Sequence, residues 1–225
     1  CKILLFAASP LFNDNEPYCT EAPQDAVTQH LVWYGGYKPE LWTQCLDACE
    51  EFFTTLAQKG HYELAQASGT TCDDYRNAFN KAYFTRDNTE LLISTRIIGK
   101  YNWGDWVPYG GYTPTLEYME MFPMSDGTPF NFDKAVAENK MFFEENDYNK
   151  PTRDPRLYET ILVNGAKWQG RAVELWTGGR ENANSTATET GVYATGFGLY
   201  KFYKEGKNSL AGNYLEWPYL RLAEM

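Results

Sequence analysis

The 225 residues include only two histidines, His30 and His61, and no Cys or His set repeats at the spacing of a zinc module. The five cysteines, Cys1, Cys19, Cys45, Cys49 and Cys72, are an odd number without framework spacing, which argues against a disulfide-stapled scaffold and for buried thiols. Cys45 and Cys49 stand four apart, but nothing else at ligand spacing joins them, so neither a metal nor another cofactor is expected. Basic side chains are scarce: Lys and Arg total 20 against 30 for Asp and Glu, and a net charge of -10 sets the chain against polyanions such as nucleic acid. No apolar run nears the roughly 18 residues of a membrane span. A Gly-x-Ser-x-Gly elbow, a P-loop and a dinucleotide fingerprint are all missing. The acid pairs Glu50 with Glu51, Glu117 with Glu120, and Glu144 with Glu145 suit solvated helix faces better than two carboxylates set across a glycosidic bond. No catalytic residue is assigned, and the chain reads as a binder rather than an enzyme.

What the sequence has in surplus is aromatic: 17 Tyr, 13 Phe and 7 Trp make 16% of the chain, more than a core of this size needs. Some rings are therefore expected at the surface. The opening "CKILLFAASPLF" mimics a signal peptide, but its apolar run is short, and residues 2 to 12 read as the end of a helix stopped by Pro10. In "ELWTQCLDACEEFFTTLAQKG", Leu41, Cys45, Leu46, Ala48, Cys49, Phe52, Phe53 and Leu56 recur at helical intervals, with Gly60 past the end. Asp73 and Asp74 open a second helix running to Tyr83. Residues 90 to 98 read as a strand and 115 to 122 as a short helix; 156 to 163 read as a strand before an Asn164-Gly165 hairpin turn. Pro218 is placed to start a helix over 217 to 225, and the chain as a whole is expected to be a piece of a longer protein.

The candidate ligand-binding residues lie in "YNWGDWVPYGGYTP". Trp103, Trp106, Tyr109 and Tyr112 sit three apart in a segment too rich in Gly and Pro for a helix. An extended polyproline-like path has three residues per turn, which would align the four rings on one side. Such rings suit the flat faces of sugars, with Asn102 and Asp105 able to hydrogen-bond hydroxyls. The other reading is that the loop folds back and buries its rings. A possible second aromatic group is Trp33, Tyr34 and Tyr37, whereas Trp42, at the start of the amphipathic helix, reads as core.

Five stretches, in order, resemble one family. They are "LLFAASPLFN" (4 to 13), "TPTLEYMEMFPMSDGTPF" (113 to 130), "RDPRLYETILVNG" (153 to 165), "GFGLYKF" (196 to 202) and "WPYLRLAEM" (217 to 225). The family is that of the SusD/RagB nutrient-binding lipoproteins of Bacteroidetes outer membranes. The resemblance implies a mainly α fold: a tetratricopeptide-like helical platform with a loop-rich irregular half containing a few short strands. The platform would span 1 to 85, the irregular ligand-binding half 86 to 216, and a C-terminal helix would begin in 217 to 225. It also implies a function, the binding of oligosaccharide or polysaccharide at the cell surface for delivery to a TonB-dependent, SusC-like outer-membrane transporter. The full-length protein would be held in the outer membrane by a lipid anchor outside this chain. Sugar contacts vary among family members, so the resemblance does not assign the aromatic residues. The Arg153-Asp154-Pro155-Arg156 clasp is expected to be scaffold, tying segments together, rather than an anion clamp. The alternative function is a helical-repeat protein-interaction module without glycan binding.

Overall fold

The computed structural model describes residues 1–98, 113–144, 147–168, 170–182, 194–201 and 214–225. In chain order these form α1 (Lys2–Ala8), α2 (Gln24–Thr28), α3 (Glu40–Lys59), α4 (Cys72–Phe84), β1 (Leu91–Ile98), α5 (Leu116–Glu120), α6 (Phe132–Ala137), β2 (Phe143–Glu144) and β3 (Asp147–Pro151). There follow α7 (Pro155–Thr160), β4 (Ile161–Leu162), β5 (Lys167–Trp168), β6 (Arg171–Ala172), β7 (Gly198–Leu199), β8 (Tyr214–Arg221) and two 3-10 turns, Arg180–Asn182 and Leu222–Glu224. The fold is mainly helical, with a loop-rich part held by short paired strands. Among the described residues no helix is long and apolar enough to cross a membrane.

Residues 1–64 and 221–225 form one compact unit, and 65–220 a second. In the first, α1 packs on α3. The helical periodicity of α3 is real: Leu41, Cys45, Ala48, Cys49, Phe52 and Leu56 form its covered or half-covered face. The apolar stripe is nevertheless wider than the covered one, because Leu46 and Phe53 are 58% and 48% exposed. Trp42, expected in the core, is 40% exposed, since it falls one residue off the face that meets α1. Lys2 and Glu224 close an ion pair at 2.8 Å within this unit.

The second unit is built around two apolar clusters that meet at β4. Ile161 joins Met119, Leu157, Tyr158, Val163 and Phe197, while Leu162 joins Trp168, Val173, Leu175 and Tyr200. Successive strand side chains point to opposite faces, so this two-residue strand serves both clusters. Strand β4 pairs antiparallel with β7, Ile161 opposite Leu199, and β5 with β6, Lys167 opposite Ala172. Strand β1, where the sequence placed it, pairs with β8, and β2 pairs with β3.

Helix α4 begins on a capping box: the Thr71 hydroxyl accepts from the Asp74 amide while the Asp74 carboxylate accepts from the Thr71 amide.

Three expectations are corrected. Of residues 156–163, read as strand, 161–162 are strand but 156–160 are a helix that starts at Pro155, because Asp154 accepts the Arg156 amide at 2.9 Å and Pro155 takes the first helical position. All four of Leu157, Tyr158, Glu159 and Thr160 are buried, so no amphipathic period marks the helix. Asn164-Gly165 does turn, with Gly165 at φ +82°, but β4 and β5 on either side pair with β7 and β6 instead of with each other. The expected helix start at Pro218 is instead a strand running to Arg221 and then a 3-10 turn, in keeping with the β-favouring Tyr, Trp and Tyr around it. Among the described residues this strand has one neighbour only, and its other edge, without ladder bonds, is the kind of place where a strand tolerates Pro.

Candidate ligand-binding surfaces

Asn102, Trp103, Asp105, Trp106, Tyr109 and Tyr112 lie in 99–112, outside the described residues. The elements that flank them belong to the second unit: β1 leads in, and α5 leads out with its first turn capped by Thr115, whose hydroxyl accepts the Tyr118 amide at 3.2 Å. The run thus leaves one secondary-structure element and enters another within a single unit.

The second aromatic group, in the first unit, is fully described. It sits in a loop whose shape is fixed at both ends by Asn13, only 2% exposed. The Asn13 side chain accepts the Lys38 amide at 2.7 Å and donates to the carbonyls of Lys38 and Ala8 at 3.1 and 3.4 Å. Between these anchors the chain reverses through left-handed conformations at His30 (φ 55°) and Gly35 (φ +81°). The positive φ favours glycine at Gly35, and a Cβ there would also come within 2.9 Å of the His30 ring, which would have to shift. The Trp33 indole N–H donates to the Asp14 carbonyl at 2.8 Å, and the Tyr34 amide to the Phe12 carbonyl at 3.1 Å. The Tyr34 ring meets Phe12 at 6.2 Å between centroids and carries the Lys38 ammonium 5.6 Å from its centre. Trp33 and Tyr34 are half-buried, while Tyr37 is 48% exposed. Their roles therefore differ. Trp33 has spent its only donor on the backbone and braces the loop; Tyr37 presents a ring and a hydroxyl outward. Asn13, which holds the group together, carries no mark in the sequence: its partner is 25 residues away, and an Asn in a polar stretch reads as surface.

The Arg-Asp-Pro-Arg clasp is scaffold. Arg153 is completely buried, and its guanidinium donates to the carbonyls of Met119 (2.9 Å), Met141 (3.2 Å) and Phe122. Its flat face covers the Phe130 ring at 3.6 Å. Burial pulls its pKa down to about 10, which leaves it protonated at neutral pH. Asp154 caps α7 and receives Arg156 Nη2 at 2.7 Å.

Several acids are likewise committed to turns and caps. Bonds from the Thr128 hydroxyl and amide hold the Asp126 carboxyl below its ordinary range, and Thr71 does the same for Asp74. Glu117 is lowered by its own amide and the Thr115 hydroxyl. Among the described residues no group of three or more His, Cys, Asp or Glu could hold a metal ion.

The model of the SusD family matches residues 62–225. The chain belongs to the SusD family. In fold it is similar to two structures of BT4246, one of them the selenomethionine form, with TM-scores of 0.64 and 0.63 at 20% identity. These alignments cover 99% of this chain and 48% and 47% of those chains. A SusD-like protein from Bacteroides fragilis aligns over 78% of this chain and 37% of its own, at 22% identity and a TM-score of 0.48. The chain thus spans about half the length of the BT4246 chains it matches. No curated protein sequence matches it.

Proposed function

We propose that the protein binds an oligosaccharide or polysaccharide at the bacterial cell surface and delivers it to a TonB-dependent, SusC-like outer-membrane transporter. Membership of the SusD family supports the reading, and one observation carries it to particular residues. Four aromatic residues, Trp103, Trp106, Tyr109 and Tyr112, recur at intervals of three in a Gly- and Pro-rich run that begins just after β1 and ends just before α5. Stacked rings take the apolar faces of pyranoses, and Asn102 and Asp105 supply an amide and a carboxylate for the hydroxyls. Tyr37, in the same loop as Trp33 and Tyr34, forms with them a second, smaller contact. Two or three stacked rings give modest affinity, on the order of millimolar to tens of micromolar, since 1 mM is about -4.1 kcal/mol. Weak capture suffices where a transporter encloses the ligand. In the full-length protein a lipid anchor holds the receptor in the outer membrane.

The test is binding of a panel of plant, host and microbial glycans, by affinity electrophoresis and calorimetry, with Trp103→Ala and Trp106→Ala compared with the parent after a folding check. Binding to one glycan class, lost in a folded Trp variant, is the expected result. A blank panel with a folded sample would overturn the reading and favour a helical module that contacts protein.

A further inference from the structure

We propose that Trp176 is a further sugar-binding residue, its ring taking the face of one pyranose unit and the neighbouring Arg180 the oxygens around that unit. The inference rests on the reading of the chain as a glycan receptor and adds a contact to those named above. Among the described tryptophans Trp176 is the most open, 53% exposed against 40% for Trp42, while Trp33 and Trp217 are half-buried and Trp168 is buried. Trp33 gives its indole N–H to the Asp14 carbonyl, whereas the Trp176 N–H has no acceptor among the described residues. By the test that makes Trp33 a brace, Trp176 presents both its ring and its donor to solvent.

The exposure is built into the backbone. Along the extended segment after β6, Val173 and Leu175 turn inward, where they pack with Leu162, Trp168 and Tyr200, so Trp176 follows on the outer side. The Gly179 amide donates to the Trp176 carbonyl at 2.8 Å, closing a turn in which Gly178 has φ +90°. A Cβ at Gly179 would lie 2.5 Å from the Glu174 carbonyl oxygen, so the chain is drawn tight there. On the near side the Leu175 amide donates to the Asn164 side chain at 3.0 Å, and the Glu174 amide to Glu181 Oε2 at 2.7 Å. On the far side the Glu174 carboxylate accepts the Arg180 amide at 3.0 Å, while Arg171 holds the other Glu181 oxygen. A ring carried on so constrained a turn meets a ligand with little ordering left to do. Its flat face suits the C–H face of a pyranose, and its edge donor suits a hydroxyl. Arg180 flanks the same turn, is exposed, and among the described residues its guanidinium makes no hydrogen bond or ion pair, so its N–H groups are open to sugar oxygens.

The experiment titrates the whole chain with xylan, laminarin, galactomannan, pectic galactan and mucin O-glycans, by affinity electrophoresis and calorimetry. It compares the parent with Trp176→Ala, Trp176→Phe and Arg180→Gln. The expected result is one glycan bound by the parent, about five- to tenfold more weakly by Trp176→Ala and with smaller losses in the other two, at an unchanged urea midpoint. A folded Trp176→Ala that binds as tightly as the parent would overturn the contact and leave the receptor reading intact. No binding by the parent to any of these glycans would overturn both. A second measurement keeps the ring in place: fluorine NMR of protein labelled with fluorotryptophan, in which the resonance missing from Trp176→Phe identifies Trp176. That resonance is expected to shift when the bound glycan is added. A resonance that stays in place at saturation would overturn the contact, whether or not Trp176→Ala folds.

Discussion

The Arg153 guanidinium reaches 34 residues back along the chain to donate to the Met119 carbonyl at 2.9 Å. That carbonyl belongs to the last turn of α5, whose acceptors have no partner within the helix. Arg153 therefore caps α5 from a distant segment, and its other N–H groups take the Phe122 and Met141 carbonyls. Arg153→Met would fill much of the volume while leaving the Phe122 and Met141 carbonyls without their donor, at about 1–3 kcal/mol each, and the Met119 carbonyl with only the Phe122 amide at 3.3 Å. The expected loss is about 3 kcal/mol or more, read as a lower urea midpoint, with Arg153→Lys intermediate because an ammonium lacks the planar fork. A midpoint unchanged in Arg153→Met would show that the clasp is not structural.

Arg76 and Asn80, one turn apart on α4, share the Glu159 carboxylate of α7 at 2.8 and 3.0 Å. Burial pushes the Glu159 carboxyl up, opposed by Arg76 and Asn80. Arg76→Met removes the strongest opposing charge, so the folded-state pKa rises further above the unfolded value of about 4.3. The folded variant then takes up its proton first, and stability increases as pH falls from neutrality through the folded pKa toward the unfolded one. At pH 7 the single variant is expected to lose about 3–5 kcal/mol, and Arg76→Met with Glu159→Leu to lose less, since no buried charge remains. Denaturant titrations at pH 7 and pH 5 separate the two; equal loss at both pH values would contradict the linkage.

All five cysteines are free thiols, but they differ in reach. Cys19 is exposed, Cys45 is buried, and Cys72 packs against the cluster around Met119 and Leu157. Burial raises the Cys72 thiol to about 11, against the pull of Arg76, and also raises Cys45, where Cys49 adds to the effect. At pH 8 a thiol of that pKa is about one-thousandth thiolate, and the thiolate is the reactive form. Five equivalents are expected on titration in denaturant. In the native protein Cys19 reacts first and Cys45 and Cys72 far more slowly, as peptide mapping after a short alkylation pulse would show. Cys72 labelled as fast as Cys19 would mean that its burial is wrong.

How much of this was legible depended on whether the deciding contact was local. Helix α3 announced itself because its residues alternate between environments at the period of the element, and strand β1 through its run of β-favouring residues. Helix α7 did not: its buried face is its whole circumference, and only Asp154-Pro155 gave it away. The surplus of hydrophobicity on α3 was visible in Leu46 and Phe53, but which stripe α1 would cover was not. At the candidate site the three-residue spacing of the rings is a property of the sequence, whereas the role of Asn13 exists only once Lys38 has been brought beside it.

Asn13 gives the most direct test of that loop. Asn13→Ala would strand the Lys38 amide and release the contacts to the Ala8 and Lys38 carbonyls, at a cost of about 2–4 kcal/mol if one to two bonded groups remain buried without a partner. Asn13→Asp is the more telling change. One carboxylate oxygen still accepts the Lys38 amide, but the other replaces a donor and faces two carbonyls. Burial and this repulsion raise the folded-state pKa above the unfolded value of about 3.9, so the penalty is complete above the folded pKa and is relieved as pH falls through it. Because Trp33 is tied to the neighbouring Asp14 carbonyl, the same change should loosen its indole and move its fluorescence toward longer wavelength at neutral pH, with recovery on acidification. A spectrum and an unfolding midpoint that match the parent at pH 7 would show that the Asn13 bonds do not set the position of Trp33, Tyr34 and Tyr37.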